Sequence, residues 1–439
     1  MNTREQVDAL LSLIKDSAYK ALDEYEKHGQ EAPTLDSLVT HPLDVEVNTV
    51  DLKRIIRTLE GACDQLCSTL APPAHTVVNR GQELYWSCLG VAVRSRIADA
   101  LADHPRGLSA QELSDITKVD AVKLTSILRL LATRHCFKEI DTGVFANNRL
   151  SLMLHSNEPV SSFIDLLKEP SQAAASLRAC LEDPEYGPSK SLYKSPFMYS
   201  IKDQGLYTSL YDSITRNPER RKVLGTGMIG MNFVMGTLSV IPIYPWKEYA
   251  TVCDVGSGIG AFSQSLVKSF PSMRVTLHDT PETINLSKDI WAKSNPDAVV
   301  SGHISFAPGN FLEEIPVKNQ DIYYLRNIIH NWPDKEALSI LKNIRNAMGP
   351  HSRVLIHDYV MRPLNRCEPN DLDTAPEPLL PNYGGGQVRL YNQDVSMLLL
   401  YNSKERTVSE VSSLGREASS KLEKFWDLGD TSVLEYVAS

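Results

Sequence analysis

The chain has 439 residues, 42% of them hydrophobic and 23% charged, which is the composition of a soluble globular protein longer than one ordinary domain. A formal net charge of -9 offers no electrostatic footprint for a phosphate backbone and argues against nucleic acid as the main partner. No run approaches the roughly 18 to 20 apolar residues of a membrane helix, and the N-terminus lacks the uninterrupted apolar region of a secretory signal. The seven cysteines are scattered without Cys-x-x-Cys spacing, so a reduced, cytoplasmic protein with no membrane partner is expected.

Residues 1 to 75 read as helices around a loop, with Val7, Leu10, Leu11 and Ile14 on one apolar stripe and Ile55, Ile56, Leu59, Cys63 and Leu66 on another. Such stripes cover either their own core or a second subunit. Between Tyr85 and Ile140 three helices precede a hairpin, with Ser109 and Glu112 spaced as a capping box, Asp120 placed to cap the next helix, and Asp141-Thr142-Gly143 as the hairpin turn. This order resembles a winged helix. The acidic chain favours a structural or dimerisation role for it over DNA binding.

Residues 160 to 240 read as helices broken at Pro170, at the DPEYGPSKS loop and at Pro196, and they carry many large flexible apolar side chains. Methionines of this kind fill irregular core gaps or line adaptable apolar cavities. Pro242 and Pro245 mark the start of another domain. From Ala250 onward strands near 251–255, 273–278, 303–307, 321–325 and 352–357 alternate with helices, the pattern of a doubly wound, mainly parallel sheet. The proline- and glycine-rich stretch 367–387 reads as a mobile surface loop.

The stretch Val252 to Asp279 is the most informative. An apolar strand stops at Asp254, glycines follow at Gly256, Gly258 and Gly260, Phe262, Leu266 and Val267 recur at helical spacing, and Asp279 closes the next strand 25 residues after Asp254. In such a unit the glycines admit a close ligand, and the second acid can accept both hydroxyls of a ribose. The spacing is not that of the phosphate-binding GxGxxG turn. An acid ahead of the first glycine repels a pyrophosphate and suits an ammonium group, which S-adenosylmethionine carries together with a sulfonium.

With these motifs the chain resembles the S-adenosylmethionine-dependent O-methyltransferases of plant and fungal small-molecule metabolism. The resemblance implies an α/β fold with three parts: a mainly helical dimerisation domain with a winged-helix part over 1–155, a helical linker contributing the substrate pocket over 156–245, and a Rossmann-like catalytic domain over 246–439. By motif it assigns the cofactor to Asp254, Gly256, Gly258, Gly260, Asp279, the pair Asn310-Phe311 in PGNFLEEIP, and Arg326. Asn310 stands where the family commonly has aspartate, which changes the polarity of the adenine contact.

In YYLRNIIHNWPD the resemblance implies His330 as a catalytic base, four residues after Arg326 and two before Trp332. Neutral histidine has a pKa suited to deprotonating a hydroxyl as it attacks the sulfonium methyl. Asp358 in VLIHDYVM and Glu405 in NSKERT are implied as the acids that hold and polarise it, while Asn331 replaces a more usual aspartate. Met228, Met231, Trp332 and Met397 are implied in the acceptor pocket, where Arg220 and Leu224 occupy positions that plant enzymes often give to aromatics. The expected enzyme is a homodimer that methylates a hydroxyl of a hydrophobic aromatic or polyketide-type metabolite without a metal. An alternative is a pericyclase or dehydratase of the same architecture, using S-adenosylmethionine only as a fixed positive charge.

Overall fold

The computed structural model describes residues 1–82, 84–365 and 374–439, which form two compact units. One comprises residues 1–171, 211–235 and 374–386; the other comprises 172–210, 236–373 and 387–439. The stretch 156–245 is therefore shared between them.

In the first unit the helix Thr3–Lys27 starts at Asn2, whose side chain and Glu5 form a capping box, and it packs along the helix Val50–Leu70. The buried seam includes Leu10 and Ala62, and its cover comes from far along the chain: Ala375, Leu379 and Tyr383. The described part of the 367–387 stretch is thus built into a core rather than lying free on the surface, while 367–373 fall outside the described residues. Two glycines allow the approach. A Cβ on Gly61 would lie 2.3 Å from the Tyr383 carbonyl oxygen, and one on Gly386 would lie 1.8 Å from the Arg57 carbonyl oxygen.

The expected winged helix is present. Helices Tyr85–Arg94, Ile97–Leu101, Ala110–Thr117 and Ala121–Thr133 surround a core of Leu113, Leu124, Leu128 and Leu131, one short helix more than the periodicity predicts. Ser109 and Glu112 form the capping box and Asp120 accepts the Lys123 amide. The wing is a three-stranded antiparallel sheet in the order β1-β3-β2, where β1 is Leu108–Ser109, β2 is Lys138–Asp141 and β3 is Val144–Ala146. Further on, Pro159–Leu166 lies against Pro218–Met235. Gly230 makes this contact possible, because a Cβ there would sit 1.9 Å from the Pro159 carbonyl oxygen. Pro170, expected to break a helix, falls in the first turn of Lys168–Ala175, where its missing N–H costs no hydrogen bond.

The second unit is organised on seven strands: β4 (Thr251–Val255), β5 (Arg274–Asp279), β6 (Ile304–Pro308), β7 (Ile322–Arg326), β8 (Arg353–Asp358), and then β11 (Ser420–Asp427) and β12 (Ser432–Ala438). Their order across the sheet is β6-β5-β4-β7-β8-β12-β11, parallel except for β12 and β11. The five parallel strands match the expected ranges to within a residue, whereas the antiparallel pair has no counterpart in the sequence reading.

Alternation along the strands sorts the core onto two faces. Val252, Ile322 and Tyr324 join Phe262, Leu266, Ile284 and Trp291, while Cys253, Val255, Tyr323 and Leu325 join Ile340, Ile344, Val411 and Leu414. Chain order reverses between β4 and β7, and the crevice beyond their carboxyl ends is where doubly wound sheets bind ligands. A short parallel ladder of β9 (Val360–Met361) with β10 (Arg406–Thr407) extends this edge.

The packed 374–386 segment gives a stability test. Gly386→Ala places a methyl group against the Arg57 carbonyl and is expected to cost about 1–3 kcal/mol through overpacking. Thermal melting of the variant reads this directly, and a melting temperature equal to the parent's would show that the segment does not bear on the helix pair.

Candidate active site

The turn after β4 is built by backbone geometry. Gly256, Gly258 and Gly260 have φ of +71°, +56° and +80°, a region that favours glycine. Two of the three are also sterically bound: a Cβ on Gly256 would meet Ile328 Cδ1 at 2.3 Å, and one on Gly260 would meet Leu277 and Trp291 at 2.7 Å. Gly258 faces open space. Its N–H donates to Asp279 Oδ2 at 2.8 Å, and the Thr280 N–H donates to Oδ1 at 2.7 Å, so the acid closing β5 is fixed against the turn. From the helix Pro281–Ser294, Ser287 donates to the Gly258 carbonyl at 2.9 Å and Trp291 Nε1 to that of Ile259 at 3.1 Å. These two supports, one helical turn apart, were not singled out in the sequence.

Asp254 is 4% exposed and accepts the Ser263 hydroxyl at 2.6 Å. Burial pushes its carboxyl up to about 6, against the opposing pull of the Ser263 hydrogen bond and the Arg326 charge. Burial likewise raises Asp279, opposed by the Gly258 and Thr280 amides. Phe311 lies 3.5 Å from the position of a Gly256 Cβ and meets Trp332 edge to face at 5.7 Å. Asn310 is exposed, and its side chain is engaged locally, donating to Glu313 at 3.0 Å and accepting the Leu312 amide at 3.0 Å. Arg326, at the end of β7, sits 5.4 Å over the Phe262 ring and donates to Thr237 at 3.3 Å.

His330 lies in the tight turn Ile329–Asn331, directly beyond β7, and is 3% exposed. Its Nδ1 is 2.6 Å from Glu405 Oε1, both side chains being buried, leaving Nε2 for another partner. Asp358 Oδ2 accepts the backbone N–H of His330 at 3.2 Å. The two implied acids therefore divide the work: the longer Glu405 reaches the ring, and the shorter Asp358 holds the main chain. Burial alone would depress the imidazole, but Glu405 and Asp358 outweigh it and raise its pKa to about 9. Nearby His357 shows the opposite balance. Bonded to Tyr324 and Thr431, it is pushed down to about 3 by burial, with the positive charge of Arg326 acting in the same direction.

Arg406, adjacent to Glu405 in the same sequence string, clamps the turn. It is 3% exposed and donates to the Ile329 carbonyl at 3.0 Å, the Trp332 carbonyl at 2.7 Å and Asp334 at 2.7 Å. The β9–β10 ladder fixes its register, pairing Arg406 with Val360. The helix Val388–Tyr401, which carries buried Met397, packs on the His330 turn. Met231 is buried and Met228 half-buried on the helix Pro218–Met235 of the N-terminal unit, whereas Trp332 and Met397 belong to the other unit. Arg220 is paired with Glu169 and Ser213.

Residues 194–420 match the O-methyltransferase domain and residues 84–157 match the O-methyltransferase dimerisation domain. The chain belongs to the S-adenosylmethionine-dependent O-methyltransferases of the fungal secondary-metabolism type. This methyltransferase is 40% identical to "3-O-methyltransferase 2" of Phanerochaete chrysosporium over 98% of its own length and 96% of the relative's. Among solved structures, LaPhzM shares the fold with a TM-score of 0.67 at 23% identity, covering 84% of this chain and all of that one, which is 100%. CalO1, a methyltransferase in calicheamicin biosynthesis solved with S-adenosylhomocysteine, gives a TM-score of 0.64 at 25% identity over 84% of this chain and 98% of its own. Among the described residues of the methyltransferase, no single helix is long and apolar enough to cross a membrane.

Arg406→Met removes four hydrogen bonds around the His330 turn, the one to the Ile329 carbonyl fully buried, while keeping the stem. Charge-assisted bonds of this kind are worth about 1.5–3 kcal/mol each, part of which water recovers at the exposed Asp334. A loss of about 3 kcal/mol in chemical denaturation is expected, and a change below about 0.5 kcal/mol would show that the clamp is dispensable.

Proposed function

We propose that the enzyme transfers the methyl group of S-adenosylmethionine to a hydroxyl of a hydrophobic aromatic or polyketide-type secondary metabolite, with His330 as general base, and that it acts as a cytoplasmic homodimer. The observation that carries this reading is the buried 2.6 Å bond between His330 Nδ1 and Glu405. A carboxylate on one imidazole nitrogen fixes the tautomer and strengthens the other nitrogen as a base. Asp358 sets the main chain of the turn, so both the position and the orientation of Nε2 are defined before an acceptor arrives.

The residues around the glycine turn suit the cofactor. Gly258 faces open space and leaves the backbone approachable, Asp279 is aligned by two amides to receive ribose hydroxyls, and the buried Asp254 favours a cation beside it. Phe311 provides an apolar face and Arg326 a counter-charge to the acids, while the engaged Asn310 side chain leaves its backbone as the remaining contact. When bound, S-adenosylmethionine supplies an electrophilic methyl on a sulfonium. Nε2 of His330 takes the acceptor's proton as its oxygen attacks, and Trp332 and Met397, in the same unit as His330, exclude water there. The dimerisation match over 84–157 supports the homodimer.

Incubation with methyl-labelled cofactor and a panel of phenolic and polyketide acceptors tests the reading. Labelled product with S-adenosylhomocysteine is expected, and conversion of an acceptor without change in mass would instead assign the cofactor a purely electrostatic role. His330→Ala should lower kcat by about 10²–10⁴ with S-adenosylhomocysteine affinity retained. In the parent enzyme kcat/KM should climb as pH rises toward about 9, because the competent neutral imidazole becomes more abundant as the raised pKa is approached; a profile already flat at pH 7 would remove His330 as the titrating base.

Asp254 yields a separate expectation on binding. Its carboxylate is fully formed only above a pKa of about 6, so affinity for S-adenosylhomocysteine should fall as pH drops through that value. Asp254→Asn should weaken binding at neutral pH and abolish the pH dependence. Calorimetric titration decides this, and an unaltered pH dependence in the variant would place the titrating group elsewhere.

A further inference from the structure

The bond between His330 and Glu405 is only as well defined as the two backbones that present it. On the His330 side the main-chain N–H is held by a carboxylate, Asp358. The main chain of Glu405 is held in the same manner. Its N–H donates to Oδ1 of Asp394 at 2.8 Å, on the helix Val388–Tyr401. Both members of the buried pair are thus tied through their amides to an acid on a separate element, and a charged acceptor makes such a bond stronger than a neutral one.

The place of Asp394 in its helix makes this contact more than incidental. It lies past the first turn, where the helix N-terminus no longer favours an acid, and aspartate is among the weaker helix formers. Burial raises its carboxyl, opposed by the Glu405 amide and the Lys404 charge, with Glu410 adding to the rise. A half-buried acid in a helix interior needs a donor, and the Glu405 amide supplies one.

The short segment between this helix and Glu405 folds back onto the helix. Asn402 ends the helix with φ of +52°, and its side chain donates to the carbonyls of Ser191 at 2.8 Å and Lys194 at 3.0 Å. The Ser403 N–H then returns to the Met397 carbonyl at 3.3 Å, and the Glu405 N–H to Asp394, three residues earlier on the same helix face. Beyond Glu405 the β9–β10 ladder takes over at Arg406.

We propose that Asp394 is a positioning residue that holds the Glu405 backbone so that the Glu405 carboxylate stays on Nδ1 of His330. This rests on the reading above with His330 as base. The hydrogen bond, not the charge, is what Asp394 contributes. Burial raises the Glu405 carboxyl, His330 opposes this, and Asp358 and Asp394 add to the rise, so a negative Asp394 works against the ionised Glu405 that pairs with His330. An asparagine offers the same acceptor oxygen without the charge and should serve as well. Removing the acceptor frees the Glu405 amide and lets the carboxylate drift from the ring.

The test follows the His330 imidazole by NMR pH titration, its signal assigned by loss in His330→Ala, together with methyl transfer to a phenolic acceptor from the panel above, in the parent enzyme, Asp394→Ala and Asp394→Asn. Burial and Arg406 lower the imidazole while Glu405 and Asp358 raise it, so retreat of Glu405 moves its midpoint down. In Asp394→Ala the midpoint should fall from about 9 to about 8 or below. On the high-pH plateau, where the imidazole is neutral in parent and variant alike, kcat should drop about 10–100-fold. Asp394→Asn should bring both back to near the parent's values. A parent-like midpoint in Asp394→Ala overturns the proposal, and so does a midpoint in Asp394→Asn as low as that in Asp394→Ala. Should Asp394→Ala fail to fold, Asp394→Glu, whose carboxylate is displaced by one methylene, is read in the same two ways. A midpoint that falls as expected while kcat holds, in a parent whose kcat/KM does not follow the His330 titration, supports the positioning and tells instead against His330 as the base.

Discussion

The bond between His330 and Glu405 is the constraint around which the catalytic unit is arranged. Two ionisable side chains, 3% exposed each, lie out of water, where each alone would be costly and only close pairing makes them tolerable. Their separation in the chain is 75 residues, so the pairing requires three elements to converge: the turn after β7, the edge extension of β8, and the β9–β10 ladder that presents Glu405. Arg406 and Asp358 stiffen the turn through its backbone, from opposite chemical directions, one donating to carbonyls and the other accepting an amide. The histidine is thereby positioned without any demand on its second nitrogen.

A different principle shapes the neighbouring glycine turn. What matters there is the backbone: three left-handed residues, two of them pressed against Ile328 and Trp291, bend the chain so that the Gly258 amide meets Asp279. The contact of Gly256 with Ile328 also links this turn to the one that carries His330. A side chain at Gly256 would press on Ile328, one residue from the His330 turn. The glycine turn and the His330 turn thus share a physical boundary.

The N-terminal unit shows how one architecture carries a different task. Its winged helix has a well-filled apolar core and a three-stranded wing, yet the protein carries a net charge of -9, and the match of this region is to a dimerisation domain. Its helix pair is completed by residues 374–386, which arrive after β9. Long-range closure of this kind explains why the stripe containing Leu10 and Ile14 could not be assigned to an internal core or to a partner from periodicity alone: its covering residues are more than 360 positions away.

Local chemistry settled what the sequence could reveal. Apolar strands closing at Asp254-Val255 and Asp279, glycines that only a tight turn requires, the capping box at Ser109 and the N-cap at Asp120 depend on neighbours within a few residues, and the parallel strands were legible to within one position. The family motif pointed to His330, Asp358 and Glu405 in the same way. What the chain could not disclose was which acid touches the ring, because reach depends on where two distant strands end. Nor could it show that Arg406 clamps the turn, that the 374–386 stretch is core rather than loop, or that Asp394 accepts the Glu405 amide. Those are properties of packing and burial; burial depresses both of the neighbouring histidines, and what separates them is the charges packed nearby, Glu405 and Asp358 raising His330 while Arg326 lowers His357 further.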